Sequence, residues 1–230
     1  MRWNAAPGMR QAARMGYILY GDIGSGSAMA EMALAEAGQA AEWREVTLEG
    51  DHQLRAEYLA VNPMGRMPTL LLPDGTVMTE SLAILASIAD LHPQAGLLPA
   101  PGETARAVAL RWMTLMAAEA YPHVTRSDYP ARFTPDPAAA PGIKARALEM
   151  YREVLMVVEN HAGLRGAGQA PFLLGARFSV ADIQIAVMSR WMGGRAWTPA
   201  HCPRIEALAQ AVRARPAIAP LWQRHRLDPD

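Results

Sequence analysis

Two kinds of hydrophobic pattern follow one another along the chain. Up to about residue 92, short apolar runs alternate with helical periods; beyond it only the helical period remains. Tyr17-Ile18-Leu19-Tyr20 is an aromatic and β-branched run closed by Gly21-Asp22, which predicts a buried strand. After the small-residue turn Gly24-Ser25-Gly26-Ser27, Ala28 to Ala37 carries Met29, Met32, Ala33 and Ala37 at helical spacing. Gly38 stands where a C-terminal cap belongs. Trp43 to Leu48 alternates as a second strand, which completes a βαβ unit. Asn62-Pro63, Gly65 and Pro68 exclude a helix interior. Thr69 to Leu72 and Thr76 to Met78 flank Asp74-Gly75 and predict a hairpin. Glu80 to Leu91 returns to helical period, with Leu82, Leu85, Ile88 and Ala89 on one face.

Leu97 to Gly102 contains Pro99 and Pro101 and reads as a linker. No convincing strand follows it. Helices are predicted over 103–121, stopping at Pro122, and over 142–161, 203–214 and 217–226. Tyr129 to Pro141 holds Pro130, Pro135, Pro137 and Pro141 and reads as a loop or a broken helix. Ser179 caps one more helix: Asp182 stands at the reciprocal capping position, and Phe178 can staple onto Ile183. The plan is α/β plus all-α: a head over 1–16, an α/β domain over 17–94, a linker over 95–102 and a helical domain over 103–230. The head has no apolar core of the kind a secretory signal needs and is expected to be disordered. Met15 offers an alternative start for the chain.

Charge then narrows the function classes. Lys+Arg and Asp+Glu are both 22, so the net charge is zero, which argues against a nucleic-acid binder or a polybasic membrane protein. No apolar run reaches the roughly 18 residues that a spanning helix requires. The single cysteine, Cys202, excludes an intrachain disulfide framework and a cysteine-based metal cluster. No metal is expected, and the location expected is the cytoplasm. Lys144 is the one lysine.

Several pieces, in this order and spacing, carry a family resemblance. They are Leu19-Tyr20 followed by Ser25, then Asn62-Pro63-Met64-Gly65-Arg66-Met67-Pro68-Thr69-Leu70, then Glu80-Ser81-Leu82-Ala83-Ile84. Phe172-Leu173-Leu174-Gly175 with Phe178-Ser179-Val180-Ala181-Asp182 completes the set. From Tyr17 onward the chain resembles the cytosolic glutathione S-transferases, particularly bacterial ones. The resemblance implies a thioredoxin-like N-terminal domain, an α-helical C-terminal domain, a homodimer and glutathione as co-substrate.

Glutathione offers a peptide-like backbone, two carboxylates, an amine and a thiol, and the residues can be weighed against each. Pro68 matches the family's cis proline, which turns the Met67 N–H and C=O outward to pair with the cysteinyl part as an added strand would. Glu80-Ser81 opens a helix whose free N–H groups and partial positive charge suit the γ-glutamyl carboxylate. Arg66, His52 and Gln53 are candidates for the glycyl carboxylate. A free thiol has a pKa of about 8.5, so the enzyme must stabilise the thiolate, and Ser25 matches the hydroxyl of serine-type transferases. Ser27 is its rival, and both could simply cap the first helix. Many bacterial relatives carry a cysteine one residue after the Ser25 position, where this chain has Gly26.

Trp112, Met116 and Tyr121 would border the pocket for a second substrate, a small apolar electrophile; packing is the plain alternative for each. Glutathione-dependent isomerisation or dehalogenation, and a non-catalytic binding or regulatory role, are the competing readings. A redox enzyme of the thioredoxin type lacks its cysteines.

Overall fold

Residues 16–164 and 170–228 are described by the computed structural model. The expected head lies outside them except for Gly16, and so does Met15. Four strands form a mixed sheet in the order β2-β1-β3-β4. β1 (Tyr17–Gly21) runs parallel to β2 (Ala41–Glu45), with Leu19 opposite Trp43. β3 (Thr69–Leu71) lies antiparallel to β1 on its other side, and β4 (Val77–Thr79) closes the hairpin. Between β1 and β2 runs α1 (Ser27–Glu36), and α3 (Ser81–Leu91) follows β4. A single short turn, α2 (Ala56–Leu59), precedes β3.

A helix over Gly194–His201 has no counterpart in the pattern reading, and two further elements depart from it. β2 begins and ends earlier than Trp43–Leu48, because the chain is drawn out of the ladder at Asp22. The Leu48 N–H bonds the Asp22 carboxylate at 2.8 Å. The second departure is at Pro122. Helix α4 (Thr104–Leu115) passes through a π-helical segment, Met116–Ala120, into α5 (Tyr121–Asp128) rather than stopping. The wider π turn shifts the hydrogen-bond pattern by one residue, so Pro122 enters as a first-turn residue, where its missing N–H costs little.

The remaining helices are α6 (Ala140–His161), α7 (Val180–Met188), α8 (Gly194–His201), α9 (Pro203–Arg213) and α10 (Ala219–Arg224). Every residue of α7 is buried; all are apolar except Asp182 and Gln184, and Gln184 Nε2 donates to Met113 O at 3.3 Å. The capping carboxylate of Asp182 accepts from the Ser179 N–H at 2.7 Å, the Ser179 hydroxyl at 2.9 Å and the Leu173 N–H at 2.7 Å. Phe178 packs edge-on against Phe172.

The two halves share one core. From Ser27 to Leu34 every residue of α1 but Glu31 is buried, because the helix packs on α3 on one side and on α7 on the other. Leu97 and Leu98, in the stretch read as a linker, are also buried, and the Val180 N–H bonds Leu97 O at 2.9 Å. Arg215 grips Glu36 through two bonds, at 2.8 and 2.6 Å.

Candidate functional site

A cleft of ≈ 1090 Å³ opens where the α/β half meets the helical half. Its α/β wall is built by three chain segments, each positioned by its own hydrogen bonds.

The first segment joins β1 to α1. Gly24 takes φ +75°, a conformation that favours glycine. Its N–H donates to His225 Nδ1 at 3.1 Å, and its carbonyl accepts from Trp191 Nε1 at 2.8 Å. Both partners belong to the helical half. His225 is fully buried and bonds Glu31 through its other ring nitrogen at 2.7 Å. Ser25 lines the cleft, half-buried, and its Oγ lies 2.8 Å from Asp22 O and 2.7 Å from Ser27 Oγ. Ser27 is placed differently. It is fully buried, it is not among the cleft-lining residues, and its hydroxyl donates to Asp22 O at 2.9 Å. A side chain at Gly21 would strike it, since a Cβ there would lie 2.4 Å from Ser27 Oγ.

The second segment is the loop before β3. The Met67–Pro68 peptide is cis. Among the described residues, neither the N–H nor the C=O of Met67 has a hydrogen-bond partner. The loop is held from beneath. Arg66 O accepts from Tyr58 Oη at 2.6 Å and from Asn62 Nδ2 at 2.8 Å, and both side chains also reach Thr69 Oγ1. Arg66 and Gln53 line the cleft. Gln53 Nε2 donates to Asp51 at 2.8 Å, while its buried Oε1 has no partner among the described residues. His52 is set apart from the cleft and pairs with Arg55 at 2.6 Å.

The third segment is the entry to α3. Glu80 stands at φ +64°, outside the comfortable range of a non-glycine residue. That turn sets Ser81 at the helix N-terminus with both residues on the cleft.

Gly26 marks the point where the segments meet. A Cβ on Gly26 would lie 2.5 Å from Tyr121 Oη, 3.0 Å from Pro68 Cδ and 3.2 Å from Ser81 Oγ. The Tyr121 hydroxyl therefore occupies the room a side chain at position 26 would need. Burial pushes the Tyr121 phenol up to about 12, against a hydrogen bond with Ser81 that draws it down. The phenol is thus a proton-bearing donor at neutral pH.

Of the residues expected on the helical wall, Tyr121 lines the cleft and stacks edge-on with Trp191 at 5.2 Å. Trp112 and Met116 do not; both are buried in the core on the faces that pack inward. Their burial follows the plain alternative, packing, rather than a place on the cleft wall. Val124, Phe133, Leu148 and Trp191 supply the apolar wall instead. His225 and Trp191 escaped the sequence reading because nothing local marks them; they act on Gly24 from about 200 and 170 residues away. Among the described residues no group of three or more His, Cys, Asp or Glu side chains is arranged to hold a metal ion. Cys202 is buried.

Comparison with known proteins agrees with this geometry. The family model described as the glutathione S-transferase N-terminal domain matches residues 27–91. A curated relative, the uncharacterised GST-like protein YncG of Escherichia coli K12, is 29% identical over 212 residues, 91% of this chain and 98% of the relative. A crystal structure of a glutathione transferase homologue from Sulfitobacter, with bound glutathione, is 30% identical at a TM-score of 0.82. It covers 90% of this chain and 97% of that one. A glutathione transferase structure from Methylococcus capsulatus is 32% identical, with a TM-score of 0.72, over 92% of this chain and 99% of that one.

Proposed function

The chain belongs to the cytosolic glutathione S-transferase family, and from that premise we propose that it transfers the glutathione thiolate to small electrophiles. One observation carries this reading. The Ser25 hydroxyl, the unpartnered Met67 backbone and the Ser81 helix N-terminus converge around Gly26 on a single cleft.

Each part of glutathione then has a matching group. The cysteinyl peptide pairs with Met67 N–H and C=O in the manner of an added strand. The γ-glutamyl carboxylate takes the Ser81 end of α3, with Glu80 beside its amine. The glycyl end meets Arg66, and Gln53, whose Oε1 has no partner among the described residues, would accept its N–H. The thiol then faces Ser25 and the N-terminus of α1, where a hydroxyl donor and the helix dipole both favour the thiolate. Turning the Ser25 proton toward sulfur leaves Asp22 O satisfied, since Ser27 Oγ at 2.9 Å and the Ser25 N–H at 3.2 Å still donate to it. Ser27 serves as the fixed member of the pair and Ser25 as the one that reaches glutathione. Tyr121 supplies a second hydroxyl, toward the electrophile. The thiolate attacks the electrophilic carbon, the C–S bond forms, and the displaced pair leaves with the leaving group or into the acceptor π system. Holding both reactants in one cleft supplies much of the rate. A cysteine mechanism is not part of this reading, because Tyr121 fills the space beside Gly26 and Cys202 lies buried elsewhere. We place the protein in the cytoplasm as a homodimer; light scattering tests the latter.

The test is retention on immobilised glutathione, followed by conjugation assays of wild type, Ser25→Ala and Ser27→Ala. Ser25→Ala is expected to lower kcat/KM by about 10- to 100-fold, the scale of one lost charge-directed hydrogen bond. Equal activity in wild type and Ser25→Ala removes Ser25 from the thiolate. No retention and no glutathione-dependent turnover favours a non-catalytic binding protein.

A further inference from the structure

The charge of the cleft differs from that of the chain. The whole sequence is neutral, with 22 basic and 22 acidic residues. Yet the described residues lining the cleft include Arg66, Arg126, Arg132, Lys144, Arg190 and Arg195, against only Glu80 and Asp128. Arg66 and Glu80 stand at the glutathione end. Arg190 is committed to Glu206 at 2.7 Å, and Arg195 also has a partner. That leaves Arg126 on α5, Arg132 on the turn after it and Lys144 on α6, brought to one end of the cleft by the packing of α5 on α6. Among the described residues none of the three makes an ion pair; Asp128 is the one acid of the cleft on this side, and Lys144 acts on it electrostatically.

The two arginines are fixed without being neutralised. Arg132 lies 3.9 Å over the ring of Tyr129, and Arg126 lies 5.6 Å over the ring of Phe133. Stacking leaves the edge donors of Arg132 free for a planar acceptor, and its preset fork loses less entropy on binding, whereas Arg126 already places one Nη 3.4 Å from His123 Nδ1. Val124, Leu148 and Phe133 give apolar surface beside them. Arg126 is half-buried, and Arg132 and Lys144 are exposed at the rim of the cleft, so their attraction for an anion is one that salt weakens.

Building on the transferase reading above, we propose that the second substrate is an electrophile with an apolar body and a carboxylate, the carboxylate bound by Arg132 with Arg126 and Lys144. This adds an anionic group to the small apolar electrophile expected from the sequence.

The test uses a chloronitrobenzoate and its methyl ester, which differ in charge and undergo the same displacement of chloride by the glutathione thiolate. Rates are taken relative to the uncatalysed reactions. The expected result is a preference for the carboxylate that weakens as salt is added. In Arg132→Met and Lys144→Met the carboxylate-to-ester ratio should fall, roughly tenfold for Arg132. The loss should appear in KM for the carboxylate and not in KM for glutathione. An equal or greater wild-type preference for the ester overturns the proposal. So does a rise in the glutathione KM with no change in the ratio, which would assign the cations to glutathione itself. If neither electrophile turns over, the transferase reading fails. The affinities of the two preformed glutathione conjugates, read by tryptophan fluorescence, then decide: tighter binding of the carboxylate conjugate, lost in Arg132→Met, supports the anion site, and equal affinity overturns it.

Discussion

At the scale of single residues, the site depends on what is absent at position 26. The missing Cβ of Gly26 is the space that Tyr121 Oη fills. Gly26→Ala is expected to destabilise the protein and weaken glutathione retention, because a Cβ 2.5 Å from an oxygen forces a shift. Tyr121→Phe removes that oxygen, so the double variant should be less damaged than the sum of the singles, with a coupling of about 1 kcal/mol in urea unfolding. Strict additivity would show that the contact does not govern the site. Ser25 and Ser27 carry the same chemistry two residues apart, and no pattern in the sequence separates them. Burial separates them: one faces the cleft, and the other seals the base of the turn against Gly21.

At the scale of elements, the capping carboxylate of Asp182 ties α7 to the strand-like segment before it. Asp182→Ala would strand three donors, the Leu173 N–H, the Ser179 N–H and the Ser179 hydroxyl. A loss of about 3 kcal/mol or more in chemical unfolding is expected. Burial raises the Asp182 carboxyl to about 6 from an ordinary 3.8, with those hydrogen bonds pulling the other way. The folded state therefore holds this proton more tightly than the unfolded chain. Its contribution to stability is largest below about pH 4, declines as pH rises to about 6 and is constant above that. Asp182→Asn should remove that part of the pH dependence, so the gap between wild type and variant narrows across this window. The capping pair was legible because both of its members lie within four residues of one another. The π segment was not: Pro122 reads as a stop, and only the packing of the segment against α6 shows the helix passing through.

At the scale of the molecule, the helical half holds the Gly24 turn at the cleft. His225 and Trp191 pin the N–H and the carbonyl of Gly24, and Glu31 fixes His225 from α1. His225→Ala is expected to cost about 3 kcal/mol in urea unfolding, from a lost buried ring and two lost hydrogen bonds. It should also lower turnover without touching a glutathione contact. With α1 buried between α3 and α7, and Arg215 paired across to Glu36, the halves should unfold in a single transition by both tryptophan fluorescence and far-ultraviolet dichroism. Two separated transitions would contradict the shared core.

Unlike α5 and α8, the strands of the α/β half with α1 and α3, the cis-proline loop, the Glu80-Ser81 helix start and the capping pair were readable along the chain. Each rests on neighbours in sequence: periodicity, turn residues and motifs a few positions long. What only the tertiary structure decided is the content of the cleft. Which serine faces it, why Trp112 and Met116 turn away, and how Arg126, Arg132 and Lys144 come to share one wall all depend on packing between distant segments. Local sequence carries no record of which side chain another helix will cover.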